Sequence, residues 1–230
     1  MVLSAKGLIF DYGGTIDTNG IHWSEVIWDE YVAAGIPITR EKFRDAYVYV
    51  ERTLGSKPII MPCHTFREVL DIKISMQFEK LELTDDAKRI VVACYEKTTD
   101  IINSAKETLD VLAVRYPMIL VSNFYGNIRT VLDEFCLTKY FRKIIESAEV
   151  GIRKPDPAIY KLAINKFGFE PKEVVIIGDS YKNDIAPANI LGCRSIWLKG
   201  KGWDDKDEEI NHPFIIRDFA ELKSLPLGEI

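Results

Sequence analysis

The sequence predicts a doubly wound α/β domain, built on a parallel sheet and carrying an all-helical insert after its first strand. Three observations predict it. Short, near-continuous apolar runs recur along the chain between turn residues, as strands buried on both faces of a parallel sheet require. Amphipathic helical patterns separate these runs, and strand–helix alternation builds such a sheet. From Gly20 to about Asp100 the alternation stops and only helical patterns remain.

The opening strand is KGLIFDY, from Lys6 to Tyr12. Ser24 to Ala34 then reads as a helix stopped by Gly35. Thr39 to Leu54 is a second, stopped by Gly55, with Phe43, Ala46, Tyr47 and Val50 on one face. Thr65-Phe66-Arg67-Glu68 has the spacing at which a threonine hydroxyl and a glutamate carboxylate cap each other's backbone N–H groups, and it opens a third. Thr84, followed by Asp85 and Asp86, opens a fourth, with carboxylates at the positive end of the helix dipole. Ser104 to Glu107 repeats the capping signature and marks the first helix of the returning core, with Leu109, Leu112 and Ala113 as its apolar face. Further strands start near Pro117 (PMILVSN), Arg142 (RKIIES), Glu173 (EVVIIGDS), Arg194 (RSIWLKG) and Phe214 (FIIRD). Between them, Asp156-Pro157 starts a helix with the stripe Ile159, Leu162, Ala163 and Phe167 and a stop at Gly168; Ile185 to Leu191 forms another, ended by Gly192. The expected organisation is a core of residues 1–18 and 101–230 and a helical cap of residues 19–100.

With 230 residues, the chain can bury a sizeable core. A net charge of -5 without a basic stripe argues against a general nucleic-acid binder. No apolar run approaches the roughly 20 residues that cross a bilayer. The N-terminal stretch lacks the long apolar segment of a signal peptide, so the cytoplasm is the expected compartment. Cys63, Cys94, Cys136 and Cys193 form no Cys-x-x-Cys pair and are expected as reduced, buried thiols. The charged stretch Lys199 to Glu209 reads as a solvated loop.

Four polar positions fall just past the carboxyl ends of different strands, where open α/β sheets bind ligands. They are Asp11, then Ser122 with Asn123, then Lys154, then Asp179 with Asp184. Singly each has an ordinary reading: a turn cap, a turn, a surface lysine. Together, in order on one edge, they argue for a site. Asp11 and Asp179 on adjacent strands would repel each other without a cation between them, and hard oxygen ligands favour Mg²⁺. Asp184 would orient a metal-bound water or complete the ligand set. Gly13, Gly14 and Thr15 let backbone N–H groups face an anion, Ser122 adds a hydroxyl, and Lys154 adds a fixed charge. These parts around one carboxylate describe a phosphoryl site in which Asp11 attacks phosphorus.

DYGGTID, the VSN ending at Asn123, GIRKPDPAIY around Lys154 and GDSYKNDIAPANILG around Asp179 make the chain resemble the haloacid dehalogenase-like superfamily over essentially its whole length. The resemblance implies a Rossmann-like core with a helical cap. It implies Asp11 as nucleophile and Mg²⁺ ligand, Ser122 and Lys154 as phosphate binders, and Asp179 and the Gly13 carbonyl as further ligands. The expected partner is a small phosphorylated or related anionic substrate, with no nucleic acid or membrane, and the chain as a monomer or small homo-oligomer.

One position departs from the pattern. Family phosphatases read Asp-x-Asp-Gly-Thr, and the second Asp protonates the leaving alcohol and then activates water; here that residue is Gly13. Such proton transfer is worth about 10²–10⁴ in rate. Three readings stay open. The first is a phosphatase whose substrate has a good leaving group, or whose substrate or cap supplies the proton. The second is carbon-centred chemistry, either dehalogenase-like or phosphonatase-like; the latter would need a Schiff-base lysine from the cap, with Lys57 as the candidate. The third is a protein that only binds metal and phosphate. Retention of Asp179 and Asp184 weighs against a dehalogenase, and the otherwise complete site favours an enzyme. The cap loop GSKPIIMPCH, with Lys57 and His64, is the expected place for substrate contacts.

Overall fold

The computed structural model describes residues 3–84, 86–202, 210–225 and 227–228. Its centre is a six-stranded parallel sheet in the order β4-β3-β2-β5-β6-β7. The strands are β2 Gly7–Phe10, β3 Met118–Ser122, β4 Lys143–Glu146, β5 Val174–Gly178, β6 Arg194–Leu198 and β7 Ile215–Ile216. A separate parallel pair, β1 Leu3–Ser4 with β8 Leu227–Gly228, was not legible in the sequence. All four residues of β2 and all five of β3 and β5 are buried. Alternation along each strand divides them between two cores. Leu8, Phe10, Leu120 and Ile177 join the apolar cluster shared with the helical insert, whereas Ile9, Ile119, Val121 and Ile176 face the cluster on the other side. Each such aliphatic or aromatic side chain contributes about 1.5–3 kcal/mol by burial, which holds the carboxyl ends of β2 and β5 side by side.

The insert after β2 is helical: α1 Trp23–Ala33, α2 Arg40–Ser56, α3 Phe66–Lys80 and the start of α4 Ala87–Arg115. Thr39 caps α2, whose buried face carries Phe43, Ala46, Tyr47 and Val50. The reciprocal Thr65–Glu68 cap forms as the spacing predicts. Asp86 caps α4, while Asp85 lies outside the described residues. Two expectations give way. Helix α2 runs through Gly55 to Ser56, and Ser104 does not start a helix, because α4 is one helix of 29 residues. Its buried stripe (Ile90, Cys94, Thr98, Ile102, Ala105, Leu109, Leu112) keeps helical phase across Ser104, while Ala113 is exposed. The expected boundary at residues 100 and 101 therefore falls inside α4. Lys97 of this helix reaches Glu30 of α1, and Glu107 pairs with Lys223 in the 3₁₀ turn Phe219–Lys223.

The remaining helices are α5 Ile128–Glu134, α6 Ser147–Val150, α7 Ala158–Phe167 and α8 Ala186–Leu191. A π turn, Tyr181–Ile185, leads into α8, and Gly168 and Gly192 end their helices as expected. No helix among the described residues is long and apolar enough to cross a membrane. All four cysteines are free, but only Cys94 and Cys193 are buried; Cys63 and Cys136 are exposed. Residues 203–209 of the charged stretch lie outside the described residues. Lys201 does more than face solvent: its ammonium pairs with Glu25 at 3.0 Å and Asp29 at 3.4 Å, both on α1.

Candidate active site

Parallel pairing of β2 with β5 puts Asp11 and Asp179 at adjacent strand ends, with the Asp11 N–H donating to the Ile177 carbonyl at 2.9 Å. Asp11, Asp179 and Asp184 each offer a carboxylate oxygen, and these lie within 4.8 Å of one another. Lys154, from the loop after α6, enters from the other side. Its Nζ donates to Asp11 Oδ1 at 2.5 Å and to Asp184 Oδ1 at 2.9 Å. Thr15 joins the two strand ends: its hydroxyl accepts from the Asp179 N–H at 3.1 Å and lies 3.2 Å from both Asp11 Oδ2 and Asp179 Oδ1. The π turn brings Asp184 back under the site. There its carboxylate accepts from Tyr160 Oη at 2.6 Å and the Ser180 N–H at 3.0 Å, as well as from Lys154.

Three carboxylates thus share one ammonium. Burial pushes Asp11 up to about 6, against the pull of Lys154. Burial, then the charges of Asp11 and Asp184, push Asp179 well above the ordinary range. Lys154 moves up despite burial, because Asp11 and Asp184 favour its charged form. A divalent cation is what this donor set fits: oxygen ligands only, surplus negative charge, and convergence on one point. The backbone is shaped for it at Gly14. With φ of 93° and a Cβ position that would overlap the Asp179 carboxylate, this residue must be glycine.

Asp179 faces a cavity of about 190 Å³ between core and cap, whereas Asp11, Thr15, Lys154 and Asp184 are not among its lining residues. Gly13, Gly14, Asp17, Asn123 and Asp179 line its core side. From the cap come His22, Trp23, Tyr47, Glu51 and Lys73. Asn123, expected to touch substrate, also holds the loop that carries Lys154: its amide donates to the Lys154 carbonyl at 3.1 Å and accepts from the Lys154 N–H at 2.9 Å. Ser122 ends β3 as a buried residue but is not among the residues lining the cavity. Nor are the two cap-loop residues. Lys57 is exposed where α2 ends, and His64 folds back on its own loop, its Nδ1 accepting from the Met61 N–H at 3.1 Å. The loop is anchored to the start of α5, its Pro62 and His64 carbonyls accepting from the Thr130 hydroxyl and the Asn127 amide.

In their place the cap presents Lys73, paired with Glu51 at 2.7 Å and lying 5.0 Å from the Tyr125 ring centre. Sequence reasoning missed this pair, since an i,i+3 view of either helix reads both residues as surface charges. It also missed Tyr160 and Asp17. Asp17 is fully buried; its Oδ1 accepts from the Gly14 N–H at 2.7 Å and its Oδ2 from Trp23 Nε1 at 2.9 Å. Burial pushes its carboxyl up to about 7 against those two bonds. The available signal was the tight Gly13-Gly14-Thr15 turn, which returns the next carboxylate toward the strand end.

A family model described as "haloacid dehalogenase-like hydrolase" matches residues 5–192. The chain is 29% identical to a phosphoglycolate phosphatase of Pectobacterium atrosepticum over 238 residues, covering 96% of this chain and 92% of that protein. It is 33% identical to a phosphoglycolate phosphatase of Haemophilus influenzae over 125 residues, a match spanning 53% of this chain and only 55% of the relative. A match to a phosphoserine phosphatase of Thermus thermophilus, 33% identical over 86 residues, spans 37% of this chain and 34% of the relative. Among solved structures, a dehalogenase superposes with a TM-score of 0.65 at 17% identity, covering 100% of both chains. A hydrolase from Bacillus subtilis bound to magnesium superposes with a TM-score of 0.57 at 18% identity, covering 97% of this chain and 99% of its own. At these identities the structural likeness speaks for the fold alone.

Proposed function

Since the chain belongs to the haloacid dehalogenase-like hydrolases, we propose that it is a Mg²⁺-dependent phosphatase acting on small phosphate esters or acyl phosphates, with Asp11 as the nucleophile. The observation that carries this reading is the buried cluster in which Lys154 bridges Asp11 and Asp184 beside a third carboxylate, Asp179. The phosphatase names of the sequence relatives support the same chemistry. Asp11, Asp179 and the Gly13 carbonyl would hold the cation, with Asp184 behind them. Once bound, the cation neutralises charge on the transferring phosphoryl group.

This chain's own residues then have definite work. The Asp11 carboxylate attacks phosphorus and carries the phosphoryl group as an acyl phosphate. Lys154 fixes one Asp11 oxygen and offers its ammonium to phosphoryl oxygens. Thr15 holds the two carboxylate-bearing turns in register, and Asn123 fixes the Lys154 backbone. Ser122, at the end of β3, and the Gly14 and Thr15 turn are the proposed phosphate contacts. Trp23, Tyr47, Phe66, Phe124 and Tyr125 give the neighbouring cavity aromatic walls, which would limit the access of bulk water to the acyl phosphate.

The carbon-centred readings have less support. A Schiff-base mechanism needs a neutral lysine amine, and the cap lysine that lines the cavity is Lys73, not Lys57. The paired Glu51 carboxylate outweighs burial and keeps Lys73 an ammonium. Expelling halide needs no divalent cation, so the surplus carboxylate charge of Asp179 and Asp184 beside Asp11 favours the metal-dependent reading.

The test is a Mg²⁺-supplemented panel of acyl phosphates, aryl and alkyl phosphate esters and phosphonates, with Asp11→Asn as the blank. Release of phosphate that needs both Mg²⁺ and Asp11 is the expected result. Hydrolysis confined to phosphonates, or undiminished in Asp11→Asn, would overturn the reading.

A further inference from the structure

We propose that Asp17 supplies the proton-transfer carboxyl that the chain lacks at residue 13. The inference rests on Asp11 being the nucleophile, and its ground is geometry. After Asp11 the backbone coils so tightly that the N–H groups of Thr15, Ile16 and Asp17 all point at the Tyr12 carbonyl, at 3.1, 2.8 and 3.4 Å. That coil returns the Asp17 side chain to the mouth of the site, where it lines the same cavity as Gly13, Gly14 and Asp179. A Cβ placed on Gly13 would find Asp17 Oδ2, at 4.0 Å, as its one neighbour within that range among the described residues, its chain neighbours aside. So the space into which a residue-13 side chain would project already has a carboxylate at its edge.

Gly13 does not adopt a left-handed backbone angle. Backbone geometry therefore does not demand glycine there, in contrast to Gly14. A second acid at residue 13 would instead crowd the first with like charge. On this account Gly13 and Asp17 belong together: the acid has moved four residues along the chain, and the glycine leaves room for it.

The position is also tied to the cap. Trp23, the first residue of α1, donates its indole N–H to Asp17 Oδ2, while the Gly14 N–H fixes Oδ1. The carboxyl is thereby aimed by the cap helix and by the turn that would cradle the phosphate.

The chemistry balances without any further reactant. In the first step an Asp11 oxygen bonds to phosphorus, the ester P–O bond breaks, its electron pair stays on the departing oxygen, and the Asp17 carboxyl gives that oxygen its proton. In the second, the Asp17 carboxylate takes a proton from a water as the water oxygen bonds to phosphorus. The P–O bond to Asp11 then breaks, its pair returning to the Asp11 carboxylate, and inorganic phosphate departs with Asp17 protonated again.

Wild type, Asp17→Asn, Gly13→Asp/Asp17→Asn and Asp11→Asn distinguish the possibilities, each checked for folding by thermal melting and for Mg²⁺ binding by calorimetry. Labelled acetyl phosphate, p-nitrophenyl phosphate and glycerol 3-phosphate serve as donors. Asp17→Asn should form the acid-stable phosphoenzyme from acetyl phosphate but retain it, with glycerol phosphate turnover lower by about 10²–10⁴-fold. The double variant should recover at least about tenfold of that loss. Asp17→Asn turning over at the wild-type rate overturns the proposal. If that variant does not fold, the wild type still decides. An enzyme with a positioned acid shows less than about a tenfold preference for the aryl over the alkyl ester, and a larger preference overturns the assignment. Failure of the underlying reading looks different: no donor labels the wild type at Asp11, and no variant matters.

Discussion

Among the described residues Lys154 is the one cation paired with the three-carboxylate cluster, so replacing it with the similarly shaped, uncharged Met exposes how the site is balanced. Its side chain is 3% exposed and its ammonium touches Asp11 and Asp184 at 2.5 and 2.9 Å. Without it, any two ionised carboxylates of the cluster, with oxygens within 4.8 Å of each other, repel by about 3.5 kcal/mol at an effective dielectric of about 20. Removing one partner from a buried ion pair costs about 3–5 kcal/mol in measured cases. For a chain of this size that is a drop in melting temperature of about 6–20 °C. The assay is a pair of thermal melts of Lys154→Met, one in chelator and one in saturating Mg²⁺. In chelator the full loss should appear; Mg²⁺ should recover part of it, because a divalent cation supplies the missing counter-charge and binds only the folded state. A variant that melts with the wild type in chelator, or that Mg²⁺ does not rescue at all, would refute the charge balance.

Other consequences are as definite. Gly14→Ala drives a methyl group into the Asp179 carboxylate at a φ of 93°; it should cost about 1–3 kcal/mol and abolish Mg²⁺ binding in calorimetry. Asn123→Ala removes both bonds to the Lys154 backbone. It should cost about 1–3 kcal/mol in denaturant melts and lower turnover at least about tenfold, leaving Mg²⁺ affinity near wild type. Glu25 is buried, which favours its neutral form, but Arg40 and Lys201 outweigh this and hold its carboxyl below the usual 4.5. A depressed carboxyl stabilises the fold above its unfolded value and loses that contribution as pH falls through the folded one. Glu25→Gln should therefore cost about 1–2 kcal/mol at neutral pH, and the difference should shrink as pH falls below the usual 4.5 through the depressed value of Glu25; a pH-independent difference would mean the pair with Lys201 does not tie α1 to the core.

The strand ends were legible because buried parallel strands are written as apolar runs, and whatever polar residue follows such a run must sit at the sheet's edge. That logic placed Asp11, Asn123, Lys154, Asp179 and Asp184 on one edge of the sheet, where the fold brings them together. It could not place Asp17, whose position depends on three backbone bonds to one carbonyl and on an indole from a different element. Lys57 and His64 drew attention because a cap over such a site must complete its pocket and exclude water, and their loop lies between two helical patterns. The cavity is closed instead by residues that local pattern assigns to helix surfaces, Glu51 and Lys73, which face each other only because α2 packs on α3. Ser104 failed for a related reason. Its Ser-x-x-Glu spacing is a cap only where the chain enters a helix, and no Gly or Pro interrupts the buried stripe of α4 between Asp86 and Tyr116.

The proposed phosphatase chemistry requires a covalent phosphoryl intermediate at Asp11. The most direct measurement is to react the protein with acetyl phosphate and Mg²⁺, quench in acid, reduce with borohydride and sequence the N-terminal peptides by mass spectrometry. An aspartyl-phosphate reduces to homoserine, so residue 11 should read as homoserine in the complete reaction and as unmodified aspartate when Mg²⁺ or the donor is left out. Phosphate release that proceeds while residue 11 stays unmodified, and continues in Asp11→Asn, would contradict it.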